Sequence, residues 1–130
     1  MQIAEVQIPK QVRPNPKDYD EERGEIGGYG KLTESGGIKF DIVQKIEHPG
    51  EVNKARYQPH NPDLIATFGV DGKVLIFDRT KHPNNPSQPG KIDAQVELDG
   101  HKEEGYGLDW SPFDEGSLVT GGEDMTVLLW

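Results

Sequence analysis

The feature that most constrains this chain is that it repeats itself. The offset that carries His48 onto His101 also carries Pro59 onto Pro112, Thr67 onto Thr120, Gly69 onto Gly122, Asp71 onto Asp124, Val74 onto Val127, Leu75 onto Leu128 and Phe77 onto Trp130, without a gap. Such a self-match marks a chain of stacked supersecondary units, each burying its apolar face against a neighbour. Within the first copy, residues 52 to 57, 64 to 68 and 74 to 77 read as short strands, and Asp71-Gly72 is a strong hairpin turn between the last two. In the second copy, residues 106 to 112 and 117 to 130 give the same three strands behind the Gly100-His101 pair. No segment has helical periodicity of useful length, so the chain is predicted to be all-β.

A Gly-His start and a Trp end around three strands resemble the WD40 repeat, one blade of a β-propeller. In that family a His before the first strand, a Ser or Thr in the second, an Asp in the turn to the third and the final Trp form a hydrogen-bonded set. Carried over residue by residue, the set here is His101, Thr120, Asp124 and Trp130. The earlier unit offers His48, Thr67 and Asp71, with Phe77 where Trp belongs. Phenylalanine has no N–H to donate, so that set is incomplete and its blade should lean on apolar packing. These residues are read as holding blades together, since satisfied polar networks specify a fold.

The rest of the chain follows from this frame. Residues 3 to 8 alternate as the third strand of a preceding blade would. Residues 9 to 30 carry Pro14, Pro16, a charged run and Gly24, Gly27, Gly28 and Gly30, the composition of a long surface loop. That loop lacks the strand, glycines, Lys-Ser/Thr, helix order of a phosphate cradle, and its acidic neighbours would repel an anion. Residues 38 to 46 suit an outer strand with Ile38, Phe40 and Ile42 on one face. The insertion at residues 80 to 90 holds Pro83, Pro86 and Pro89 and no apolar residue, so it reads as an exposed loop; residues 94 to 98 supply the next outer strand. WD repeats run about 40–45 residues and propellers need about 4–8 blades. The expected organisation is therefore a propeller fragment: 1–46 the end of a preceding blade with its long loop, 47–99 a WD repeat with the 80–90 insertion, and 100–130 a truncated WD repeat. Cut at both ends, it is not expected to fold as a stable monomer, because the outer blades lack their neighbours.

Composition narrows the function classes. Cysteine is absent, which excludes disulfides and Cys-based zinc sites. No apolar run approaches the ~18 residues of a membrane span, and no signal peptide is visible. The net charge of −9 opposes general nucleic-acid binding, which needs Lys and Arg against phosphates, and suits a basic partner. His48, His60, His82 and His101 fall into no metal-ligand spacing, and Ser111 and Ser117 have no nucleophile setting. No catalytic residue, metal or cofactor is expected.

What decorates the repeat is more specific. Residues 47 to 59, with Glu47-His-Pro-Gly-Glu-Val-Asn, residues 61 to 67, residues 74 to 82, residues 100 to 110, with Gly100-His-Lys-Glu-Glu-Gly-Tyr, and the acidic, Gly-rich run from 18 to 30 together resemble the histone-binding WD-repeat family. That family includes the retinoblastoma-binding histone chaperones and the type B histone acetyltransferase subunits; residues 3 to 9 and 20 to 30 are most like its fungal type B members. The resemblance implies an all-β WD40 β-propeller of about seven blades, of which this chain would hold about two and a half. It implies a non-catalytic subunit of a chromatin complex, whether type B acetyltransferase, chromatin assembly, remodelling or deacetylase. The implied partners are the basic tails of core histones and an acetyltransferase catalytic subunit or other chromatin-complex subunits, with no direct nucleic acid and no membrane, in nucleus and cytoplasm. The family's second histone surface matches nothing in this chain.

For the tail site the matching positions are Glu51, Asn53, Glu104 and Tyr106. Glu51 and Glu104 each follow their own His by three residues, which puts them on one rim. Carboxylates there would accept charge-assisted bonds from Arg or Lys, and Tyr106 would pack on an aliphatic stem or cation, with Lys54 and Arg56 balancing charge. The alternative is a generic WD-repeat scaffold, such as a ubiquitin-ligase substrate receptor. Tail binding that weakens with salt and collapses on Glu51→Lys with Glu104→Lys separates the two.

Overall fold

Apart from one turn of 3-10 helix, every regular element among the described residues is a β-strand, and every strand pairing whose register is resolved is antiparallel. The computed structural model describes residues 1–7, 19–22, 25–26 and 39–130. It divides into two compact units, Gln2–Val43 and Met1 with Gln44–Trp130.

In the smaller unit, β1 (Gln2–Gln7) pairs with β4 (Lys39–Lys45), and β2 (Tyr19–Asp20) pairs with β3 (Glu25–Ile26). The second pair is a departure from the long loop read at residues 9 to 30: Tyr19 faces Ile26 and Asp20 faces Glu25. Two-residue strands are too short to leave a periodic trace. The rest of that stretch, with Ile8 and Ile38, lies outside the described residues. Phe40 and Ile42 are exposed.

The larger unit is two sheets. The first runs β5 (Val52–Tyr57), β6 (Leu64–Gly69), β7 (Val74–Asp78), β8 (Val96–Leu98), each strand beside the next. The second runs β9 (Gly105–Trp110), β10 (Leu118–Gly122), β11 (Val127–Leu129). Val, Ile, Leu, Phe and Thr dominate the central strands because branched and aromatic side chains fit a pleated, half-buried surface. The β6–β7 hairpin closes on Gly72 at φ +77°, while its counterpart in the β10–β11 hairpin is Met125 at φ +60°, the only described non-glycine with positive φ. These are the antiparallel sheets of a WD40 propeller.

β8 is shorter than residues 94 to 98, although Gln95 just before it still bonds to β7. Its backbone N–H donates to the Ile76 carbonyl at 2.9 Å, and its Oε1 accepts from the Asp78 N–H at 2.6 Å. The 80–90 insertion opens on the 3-10 turn, Arg79–Lys81, where Asp78 Oδ1 accepts from the Thr80 N–H at 3.0 Å. The buried Gln44 amide donates to the carbonyls of Arg79 and His82 and ties the loop down.

The core lies between the sheets. Ala66, Phe68 and Val74, with Ile76 and Leu98, pack against Leu108, Trp110 and Leu118, with Trp130 alongside. The close approach depends on Gly105, where a Cβ would fall 2.4 Å from Phe68 Cε1. Trp110 buries its ring and satisfies its indole by donating to the Arg56 carbonyl at 3.0 Å. That bond joins β9 to β5 and fixes one blade on the other.

Candidate functional site

Two polar networks occupy equivalent places at the heads of the two sheets. In the second sheet His101 Nε2 lies 2.8 Å from Thr120 Oγ1, and Nδ1 lies 3.1 Å from Asp124 Oδ2. Trp130 Nε1 donates to Thr120 Oγ1 at 2.8 Å. With Nδ1 facing a carboxylate, the proton belongs on Nδ1. Nε2 then accepts the Thr120 hydroxyl proton, and Thr120 accepts the indole. Asp124 also accepts from the Thr126 hydroxyl at 2.7 Å, the Lys102 N–H at 2.9 Å and the Thr126 N–H at 3.0 Å. The Thr126 hydroxyl foremost, then the Lys102 N–H, hold its carboxyl well below the usual carboxylate range. Only glycine fits at 122, where a Cβ would sit 2.7 Å from His101 Nδ1 and 2.9 Å from Asp124 Oδ1.

In the first sheet the same positions make a smaller network. His48 Nε2 lies 2.9 Å from Thr67 Oγ1, but the Thr67 hydroxyl donates to the Leu75 carbonyl at 3.3 Å. The ring therefore donates through Nε2, and Nδ1 is buried with no group in hydrogen-bonding geometry among the described residues. Burial pushes the His48 pKa down, against a smaller upward pull from the Gly50 backbone. Asp71 does not close onto His48; among the described residues its carboxylate accepts from the Lys73 N–H alone, at 3.2 Å. Phe77 is fully buried, with its ring 5.7 Å from His48 and 5.8 Å from His82. The reason is a matter of donors. The counterpart of Lys102 is Pro49, which has no N–H; that of Thr126 is Lys73, whose ammonium is paired with Glu97; that of Trp130 is Phe77.

The Thr120, His101, Asp124 chain has the outline of a nucleophile triad, but its chemistry is closed. Thr120 is 1% exposed and its oxygen is already taken by the indole, so no substrate carbonyl can reach it.

The rim residues Glu51, Asn53, Glu104 and Tyr106 sit on the same ends of the sheets. Along β5 the register steps from Val52 opposite Gly69 to Lys54 opposite Phe68, leaving Asn53 without a facing residue. Along β9 it steps from Gly105 opposite Gly122 to Gly107 opposite Gly121, leaving Tyr106 unopposed. Asn53 and Tyr106 are repeat counterparts, so each first strand carries a bulge at one place, and bulges re-aim side chains. Just before each bulge a Glu carbonyl is pinned: Glu51 accepts from the Val70 N–H at 3.3 Å, Glu104 from the Glu123 N–H at 2.8 Å.

Across the sheets, the Asn53 amide donates to Glu104 Oε2 at 2.7 Å. The structure thus brings Asn53 and Glu104 together, while Glu51 and Tyr106 present exposed side chains at equivalent positions. Arg56 turns its guanidinium to the Ala55 carbonyl. Sequence reasoning missed Thr126 and Lys102 as donors to Asp124, although the repeat offset shows their loss in the first copy, as Lys73 and Pro49. It also missed the bulges, which leave no mark in composition. A carboxylate steadied by one amide keeps lone pairs for a cation, so the rim can accept ammonium or guanidinium groups. Among the described residues no group of three His, Cys, Asp or Glu could hold a metal ion.

No protein-family profile matches the chain. Over all of its 130 residues it is 68% identical to histone acetyltransferase type B subunit 2 of Gibberella zeae, covering 30% of that protein. It is also 68% identical to the protein of that name from Neurospora crassa, with 29% of it covered, and 46% identical to that of Mycosarcoma maydis, with 31% covered. The chain therefore spans about 30% of the length of the curated relatives it matches.

Proposed function

We propose, for a chain that belongs to the family of fungal histone acetyltransferase type B subunit 2, that its rim is a docking site for the basic tail of a core histone. The observation that carries the reading is the Asn53–Glu104 bond at 2.7 Å. It spans two repeats, steadies a partly buried carboxylate beside exposed Glu51 and Tyr106, and does so at two equivalent bulges. An Arg or Lys side chain entering there would meet Glu104 and Glu51 as acceptors and the Tyr106 ring as an apolar and π surface. The chain's acidity, −9 overall, would draw a basic tail from solution.

In this reading the protein is a non-catalytic, regulatory subunit that works in the nucleus. It holds the histone, and acetyl transfer belongs to a catalytic subunit on another chain. Two points support the division of labour. Among the described residues the triad-like array is sealed by the Trp130 indole, and the rim residues are those of a receptor, with acceptors and an aromatic ring but no activated nucleophile.

The test is fluorescence anisotropy with a Lys/Arg-rich histone-tail peptide. Affinity should fall as salt rises, since exposed charges are screened beyond about 10 Å at 0.1 M. Replacing Glu51 and Glu104 together by Lys should abolish binding. Affinity indifferent to both changes would refute the proposal.

A further inference from the structure

The two halves of the rim belong to different repeats, and a buried glycine stands between them. Glu51 and Asn53 lie at the head of the first sheet, where the Val70 N–H of the β6–β7 turn donates to the Glu51 carbonyl at 3.3 Å. Across from them, residues 101 to 104 lead into β9 and carry Glu104. Gly72 closes the turn and faces that segment. A Cβ at 72 would fall 3.1 Å from the Glu103 carbonyl oxygen and 3.2 Å from that of His101.

The conformation of the turn does not by itself demand glycine. Met125, the repeat counterpart, holds the same place at φ +60°, against +77° at Gly72. What differs at 72 is the neighbour. Residues 101 to 104 are tied into their own repeat: the His101 ring rests on Thr120 and Asp124, the Lys102 N–H donates to Asp124 at 2.9 Å, and the Glu104 carbonyl accepts from the Glu123 N–H at 2.8 Å. Room for a side chain at 72 therefore has to come from parting the turn from that segment, by a few tenths of an ångström. The Asn53–Glu104 bond crosses the same gap at 2.7 Å, and such bonds are made or lost over that scale.

We propose that Gly72 is a positioning residue of the rim. By letting the turn of one repeat lie against residues 101 and 103 of the next with no Cβ between them, it sets the reach from the Asn53 amide to the Glu104 carboxylate. This role rests on the rim reading above. Gly72 touches no tail residue and acts on the tail only through Glu104.

The test compares Gly72→Ala and Gly72→Asn with Gly90→Ala in the full chain. Gly90 has φ +81° and nothing within 4 Å of a Cβ, so alanine there brings the backbone strain without the contact. Asparagine tolerates positive φ and carries a Cβ to position 72 with less strain, which keeps the test decisive where Gly72→Ala fails to fold. The first readout is the NMR resonance of the Asn53 side-chain amide, identified by its loss in Asn53→Ala. In both Gly72 variants it should move to where Glu104→Ala puts it. The second is affinity for the Lys/Arg-rich tail peptide, which should fall about tenfold in both, the worth of a bond to a charged group. Gly90→Ala should change neither, and Gly72→Asn should add nothing on a Glu104→Ala background. An Asn53 resonance and an affinity that stay at wild-type values in Gly72→Asn would overturn the role of Gly72 and leave the rim reading intact. So would a loss of affinity as large in Gly90→Ala, or one that persists in full without Glu104. A wild-type chain that binds no tail peptide would sink the rim reading instead, and the Asn53 resonance alone would then decide on Gly72.

Discussion

Laid over each other, the two repeats share a backbone and differ in what closes it. Both place a His before the first strand, a buried Thr in the second and an Asp in the following turn. Around Asp124 the backbone of Lys102, the Thr126 hydroxyl and the His101 ring converge, and Trp130 completes the chain through Thr120. Around Asp71 those donors are gone, and His48 is left with a buried Nδ1 that has no partner among the described residues, beside the Phe77 ring. The two histidines are held in opposite tautomers by the same fold. Motif positions fix where the groups stand, and the donors between them decide whether a blade is held by a polar network or by an aromatic anchor.

That contrast can be broken in four places. The largest effect is expected at Phe77, which is fully buried. Phe77→Ala should cost about 3–5 kcal/mol, seen as a fall in the urea midpoint at fixed protein concentration. A loss under about 1 kcal/mol, typical of a surface change, would deny it the anchoring role.

Next come the two glycines. At 122 a Cβ would strike His101 Nδ1 and Asp124 Oδ1 together, whereas at 69 it would meet only Asp71 Oδ1 closer than 3.4 Å, at 2.9 Å. Gly122→Ala should therefore cost about 1–3 kcal/mol and Gly69→Ala clearly less. Equal costs in the same urea assay would erase the distinction.

Trp130→Phe turns the closed network into the likeness of the open one. Losing the indole donor to Thr120 should cost about 1 kcal/mol, measurable as a lowered thermal midpoint. No change would show that the bond at 2.8 Å adds nothing.

The smallest effect is in pH. Burial lowers the His48 pKa in the folded state. The unfolded chain therefore binds more protons between the two values, and stability rises with pH there. This contribution is complete above about 6.5, the ordinary His value, and is lost as pH falls toward the folded value. The Asp124 contribution, from a depressed pKa, is present above about 3.9 and is lost only below it. Thermal midpoints should thus decline from pH 7 to 5, and His48→Gln should flatten the decline. An unchanged decline in that variant would remove His48 as its source.

Much of this was legible in the sequence. The repeat offset, the strand runs and the Asp71-Gly72 turn lead directly to β5–β7 and β9–β11. The missing indole at Phe77 announces the apolar anchoring of its sheet. What the sequence left unread is non-local or too short to have a period. β2 and β3 are two residues each inside a Pro- and Gly-rich stretch, and the 3-10 turn at Arg79 is a single turn held by Asp78. The bulges at Asn53 and Tyr106 are set by how the first strand meets the second. The Asn53–Glu104 bond depends on one sheet packing on the next. Pro49 and Lys73 stood in plain view at the repeat offset, but they gain meaning only once the structure shows what Lys102 and Thr126 donate to.

The central claim is that equivalent positions of two repeats build one cation-binding rim, in which Asn53 works by holding Glu104. A double-mutant cycle on tail-peptide affinity, measured by calorimetry with Asn53→Ala, Glu104→Gln and the pair, tests it most directly. The account predicts that both single changes weaken binding and that the double loss falls short of their sum by about 1 kcal/mol, as for residues acting through a shared contact. Losses that simply add, or binding that ignores Glu104→Gln, would contradict it.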